Sequence, residues 1–119
     1  MVMRMSKYRN RKTEIDGILF DSAKEARRYQ ELKLLERAGF VKDIQLQVPF
    51  ELMPSQKNNE GKVVERKVSY YADFVYQQRT GNEWKTVVED VKSEGTKTEV
   101  FRLKKKLMRF VHGIEVQEY

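Results

Sequence analysis

The chain has 119 residues, no cysteine and one histidine, so it has room for one domain with one modest core, and disulfides, thiolate nucleophiles and His/Cys zinc sites are excluded. A net charge of +6 with 35% charged residues suits a polyanionic partner, nucleic acid first. No apolar run of about 18 residues and no signal-peptide pattern occurs, so an intracellular, cytoplasmic protein without a membrane span is expected.

Residues 1–12 carry Arg4, Lys7, Arg9, Arg11 and Lys12 without apolar periodicity. They read as a flexible basic arm, either contacting phosphates or simply solvated. Residues 13–119 are expected to form the single domain. Thr13 to Phe20 reads as a hairpin around Asp16-Gly17. Asp21-Ser22 opens a helix that Gly39 ends, with Tyr29, Leu32 and Leu35 on one face. Val41 to Met53 alternates Ile44, Leu46 and Val48 before Pro49, which predicts a strand with a break or at a sheet edge. Gln45 and Gln47 alternate with those apolar positions; one of them could approach a site on the neighbouring strand, but solvated positions are the better reading. The polar stretch 54–66 reads as a loop or loose hairpin tip. Strands follow at roughly 67–77 and 84–92, joined near Thr80-Gly81-Asn82. Ser93 to Lys97 is a loop. Thr98 caps a second helix to about Val111, with Val100, Leu103, Leu107 and Val111 as its apolar stripe. His112, before Gly113, suits the negative end of that helix better than a catalytic triad. Ile114 to Glu118 is a last short strand. The order predicts an α/β or α+β domain, a mixed sheet with a helix on each face, whose last crossover makes a parallel pair.

Acid-x-Lys occurs five times, but only Asp90-Val91-Lys92 closes an apolar β-branched run, Trp84 to Lys92. Side chains alternate along a strand, so Asp90 and Lys92 share a face. Asp73 in Tyr71-Ala72-Asp73-Phe74 falls on that face too, opposite residue 88 or 90 according to the turn used. Two acids and a lysine on one sheet face suit a divalent metal and an activated water. Lacking soft ligands, the site would take oxygen donors and hence Mg2+ or Mn2+. Glu25 has two readings. Ser22-Ala23-Lys24-Glu25 matches a capping box, which spacing alone favours. The same carboxylate points along the Tyr29 and Leu32 stripe toward the sheet. Glu89, on the opposite face from Asp90, suits a structural ion pair, and Tyr70, Tyr71 and Tyr76 suit packing.

Four segments together carry a resemblance. They are Phe20-Asp21-Ser22-Ala23-Lys24-Glu25-Ala26-Arg27-Arg28-Tyr29, Tyr71-Ala72-Asp73-Phe74, Val88-Glu89-Asp90-Val91-Lys92, and Thr98 followed by Phe101 to Leu107. The chain resembles the PD-(D/E)XK nuclease superfamily and, more narrowly, small phage-type endonucleases of a formerly uncharacterised phage family. That resemblance implies a restriction-endonuclease-like αβββαβ core, here with an N-terminal hairpin. It places Glu25, Asp73, Asp90 and Lys92 at the metal and catalytic positions. The superfamily's proline is Ala72 here. The function it implies is a Mg2+- or Mn2+-dependent, structure-selective endodeoxyribonuclease. Asp73 and Asp90 would be ligands, joined by Glu25 and the Val91 carbonyl, and Lys92 would act on the attacking water or the phosphate. Phosphate contacts are expected from Arg9, Arg11, Lys12, Lys104, Lys105 and Lys106. Two coordinated cuts, as on a branched junction, would require a homodimer. The alternative is a nucleic-acid-binding module without hydrolysis, a degenerate nuclease.

Overall fold

The structure, a computed structural model, describes residues 12–92 and 97–119. Most of the expected basic arm, including Arg9 and Arg11, lies outside the described residues, as does most of the loop after Lys92. The chain opens with β1 (Thr13–Ile15) and β2 (Ile18–Phe20). Asp16 and Gly17 turn between them with φ of 53° and 77°, the backbone a two-residue hairpin of matching twist requires. The helix α1 (Ala23–Arg37) follows, its first turn capped by the Ser22 hydroxyl, which accepts the Glu25 N–H at 3.1 Å. Then come β3 (Val41–Met53), the small tip hairpin β4 (Gln56–Lys57) and β5 (Val63–Glu65), β6 (Val68–Thr80) and β7 (Glu83–Asp90). The second helix, α2 (Glu99–His112), is capped by Thr98, and β8 (Gln117–Glu118) closes the chain.

Two open expectations are decided and one changes. The polar stretch 54–66, expected as a loop or a hairpin tip, is partly a paired hairpin. At Pro49, expected as a break or a sheet edge, the edge holds: β3 is the edge strand and the missing N–H interrupts no ladder. The last strand is only Gln117–Glu118, although Val116 before it is buried.

Among the described residues the main sheet runs β3-β6-β7-β8. The first three strands are antiparallel and β8 lies parallel to β7, as a crossover through a helix demands. Thr80 pairs with Glu83 and Phe74 with Glu89, so the turn is Gly81-Asn82. Continued by one residue, that register sets Asp73 against Asp90.

The apolar residues form two clusters. One joins Phe20 and the α1 residues Ala26, Tyr29 and Leu32 to Val41, Phe74 and Tyr76. The other joins Phe101 and Met108 of α2 to Leu52, Tyr70, Ala72, Val88 and Val116. Simple alternation would put Tyr70, Ala72, Phe74 and Tyr76 on one face. Instead Tyr70 and Ala72 serve the α2 cluster while Phe74 and Tyr76 serve the α1 cluster. In β3, Ile44 and Leu46 side with α1 and Phe50 and Leu52 with α2. Both switches fall between the Leu46↔Phe74 and Val48↔Ala72 pairs, hence at Gln47 and Asp73. There Gln47 takes a φ of 50°, a left-handed backbone that costs about 1–3 kcal/mol outside glycine. Such a residue bends and twists a strand locally, much as a bulge does.

The expected stripe of α2 is corrected. Val100, Leu103 and Val111 are exposed and only Leu107 is half-buried, while Phe101 and Met108 are buried. At about 100° per residue, Phe101 and Met108 lie roughly a quarter turn from Val100. The face that meets the sheet is thus the Phe101 and Met108 face, and even Phe110 is left exposed.

On the α1 face Glu89 is 3% exposed and takes two bonds of 2.8 Å from the Arg28 guanidinium. Tyr76 donates to the same carboxylate at 2.9 Å, and the Tyr119 ring lies 4.0 Å from the Arg28 guanidinium carbon. This is the structural ion pair expected of Glu89. Arg28→Ala strands a buried carboxylate and should lower the unfolding free energy by about 3–5 kcal/mol in urea titrations. A loss below about 1 kcal/mol would contradict that account. Arg28→Met with Glu89→Leu should recover most of the loss, since an apolar pair leaves no buried charge.

Candidate metal and phosphate site

Asp73, Asp90 and Lys92 converge where β6 changes its packing face. Lys92 follows β7 by two residues, but pairing with the chain end continues past the strand. Tyr119 donates its N–H to the Asp90 carbonyl at 2.9 Å, and Lys92 donates to the Tyr119 carbonyl at 3.1 Å. Lys24 of α1 donates to the Lys92 carbonyl. The Lys92 ammonium is thus held 3.5 Å from Asp90 Oδ2 and 4.4 Å from the Phe101 ring centroid. Asp73 Oδ2 accepts the Val91 N–H at 2.8 Å, satisfying a backbone donor where the β6–β7 ladder ends.

Glu25 reaches the same place from α1. Its amide is capped by Ser22, but its carboxylate does not return to the Ser22 amide, so only half of the capping box forms. Glu25 Oε1 instead accepts from Gln47 Nε2 at 3.2 Å, and the same nitrogen donates to Asp73 Oδ1 at 3.0 Å. Glu25 and Asp90 are 7% and 4% exposed, and Asp73 and Lys92 are half-buried.

Sequence reasoning let Gln45 or Gln47 approach the site but favoured solvated positions. Gln47 is exposed, yet its side chain bridges two of the acids, and its left-handed backbone marks the change of face. The only sequence signal is its place directly across from Asp73, which becomes visible once the β3–β6 register is known.

The carboxylates strain against one another. Burial, then the charges of Asp73 and Asp21, push the Glu25 carboxyl up to about 7, against the Gln47 hydrogen bond and the Lys92 charge. Burial, then a shared hydrogen bond with Asp73 and its charge, raise Asp90 well above the usual carboxylate range, against Lys92. Burial and the Asp90 charge likewise raise the Tyr70 phenol. Its hydroxyl is buried facing Asp90 without a hydrogen bond of good geometry. Among the described residues no three acidic or histidine side chains stand close enough to chelate an ion as they are. Between Glu25 and Asp73 the intervening group is the Gln47 NH2.

The expected phosphate contacts are divided. Lys12 and Lys106 are exposed. Lys104 donates to the Ser69 carbonyl at 2.9 Å, and Lys105 pairs with Glu118 at 2.7 Å. His112, at the end of α2, hydrogen-bonds the Glu51 carbonyl at 2.7 Å and packs on Phe50. No helix among the described residues is long and apolar enough to cross a membrane.

No curated protein and no solved structure matches this chain. A family model does, over residues 5–117, a span that holds both helices and all four converging residues. The chain therefore belongs to the family described as "Protein of unknown function (DUF1064)".

Proposed function

We propose that this chain is a metal-dependent DNA endonuclease of the PD-(D/E)XK type, selective for DNA structure. The observation that carries the reading is the convergence of Glu25, Asp73 and Asp90 around Lys92, with Glu25 and Asp90 both raised by burial and by neighbouring charge. Buried carboxylates that repel one another are stabilised by a cation. The order α1, β3, β6, β7, α2, β8 supports a restriction-endonuclease-like core.

The donor set fits a hard ion, since it offers oxygen donors alone. Asp73 and Asp90 would hold Mg2+ or Mn2+, with Glu25 and the Val91 carbonyl completing the set. A bound ion would supply Lewis acidity and a more acidic water. The rest falls to the chain. Lys92 orients or deprotonates the attacking water, or offsets charge on the phosphate. Its ion pair with Asp90 at 3.5 Å keeps it aimed. Gln47 holds Glu25 and Asp73 in register and puts the positive end of its amide dipole between them. Phe101 shields the ammonium from solvent on one side.

The test is incubation with plasmid, linear duplex, single-stranded, nicked and branched DNA in Mg2+, Mn2+ or EDTA. Cleavage that needs the metal and favours one shape is expected. DNA affinity without cleavage in either metal would select the non-catalytic module instead.

A further inference from the structure

A groove of about 580 Å³ runs between α2 and the chain end at β8. Its walls carry Lys97, Arg102, Lys105, Lys106 and Arg109 against the carboxylates Glu115 and Glu118. Glu118 is already taken, by Lys97 at 3.3 Å and Lys105 at 2.7 Å. Arg102, Lys106 and Arg109 are exposed and have no acidic partner among the described residues. They lie within about 60° of one another around the helix and span about 10 Å along its axis. The result is a row of three free cations in a concave track.

The track also has a direction. Phe101 lines it, and the Lys92 ammonium sits over that ring at 4.4 Å. Glu118 stands beside Asp90 in the β7–β8 register. One end of the groove therefore lies a single strand away from the acid cluster.

A lone phosphate would need one or two of these cations. A row spaced along two helical turns suits an anion whose charges repeat at intervals, and two of the three are guanidiniums, whose fork matches phosphate oxygens. We infer that this groove binds the sugar–phosphate backbone of a nucleic-acid strand, holding the phosphates that flank the one presented to Asp73, Asp90 and Lys92. The adjacency rests on the nuclease reading; the binding does not.

The test is fluorescence anisotropy with labelled single-stranded and duplex DNA, in EDTA, across a salt series. The variant is Arg102→Ala/Lys106→Ala/Arg109→Ala. A control of equal charge is Lys57→Ala/Lys62→Ala/Lys67→Ala, on and beside the tip hairpin. The groove variant should keep the wild-type melting temperature. Its affinity should fall at least about tenfold and its salt slope should shrink by about 2–3. The control should change much less. An unchanged slope and affinity would overturn the proposal, as would equal losses in both variants, which would reduce the effect to net charge. Displacement of DNA by polyglutamate of equal charge would overturn it in favour of an acidic peptide. Because no metal is present, a protein that fails to cleave can still pass this test, and a protein that cleaves can still fail it.

Discussion

Asp90→Asn should lower single-turnover cleavage in saturating Mg2+ by at least about 10³-fold, close to 4 kcal/mol of barrier, while the protein stays folded. Asp90 is 4% exposed and its carboxyl is raised by burial and by Asp73. An isosteric amide removes the repulsion, so the metal-free variant should melt no lower than wild type. What it loses is the charge that would hold the ion. Lys92→Ala should cost about 10²–10³-fold, the size usual when one charge-stabilising group is removed. Its metal-induced rise in melting temperature should persist, because a lysine is no ligand. The two variants thus differ in calorimetry although both are slow in cleavage. Wild-type rates in either would remove these residues from the chemistry.

The second large effect belongs to Glu25, where pH separates the two roles left open by spacing. Its carboxyl titrates near 7 in the fold, against an ordinary 4.5. The folded state therefore holds this proton more tightly than the unfolded chain. Its contribution to stability without metal is fullest below about pH 4.5 and falls as pH rises through 7. At about 1.4 kcal/mol per pH unit the loss is on the order of 3 kcal/mol. In EDTA the wild-type melting temperature should drop between pH 5 and 8, and Mg2+ should restore it. Glu25→Gln should remove that residue's share of the drop and raise the metal-free melting temperature at pH 8. It should also blunt the response to Mg2+ and abolish cleavage. A variant that melts lower by about 0.5–2 kcal/mol and cuts normally would instead mark Glu25 as a cap.

How much of this was legible depends on the range of the interactions. The caps at Ser22 and Thr98 and the turn at Asp16-Gly17 are decided within a few residues, and local reading found them; it narrowed the β6–β7 turn to Thr80-Gly81 or Gly81-Asn82, of which the second forms. The facing of Asp73, Asp90 and Lys92 also followed, because the short β6–β7 turn leaves few registers. Gln47 could not be singled out from Gln45 that way. Its pairing with β6 is set across the long excursion through β4 and β5, and nothing local reports it. The change of face at Gln47 and Asp73 defeats period-two reasoning for the same cause. The roll of α2 escaped because apolar residues occur all round the helix: Val100, Leu103 and Phe110 are exposed while Phe101 and Met108 are buried, and the choice between faces is made by docking on the sheet.

The division of apolar packing at Gln47 bears on how the molecule comes apart. Each helix is anchored in its own cluster, and the two share little besides β6 and its neighbours. Two such halves open with different free energies, as cooperative units do in amide exchange. The acids lie along the seam, with Glu25 on one half and Asp90 on the other. A cation bound there would stitch the halves together, so amides of α1 and α2 that exchange at separate rates in EDTA would exchange in step once Mg2+ is added.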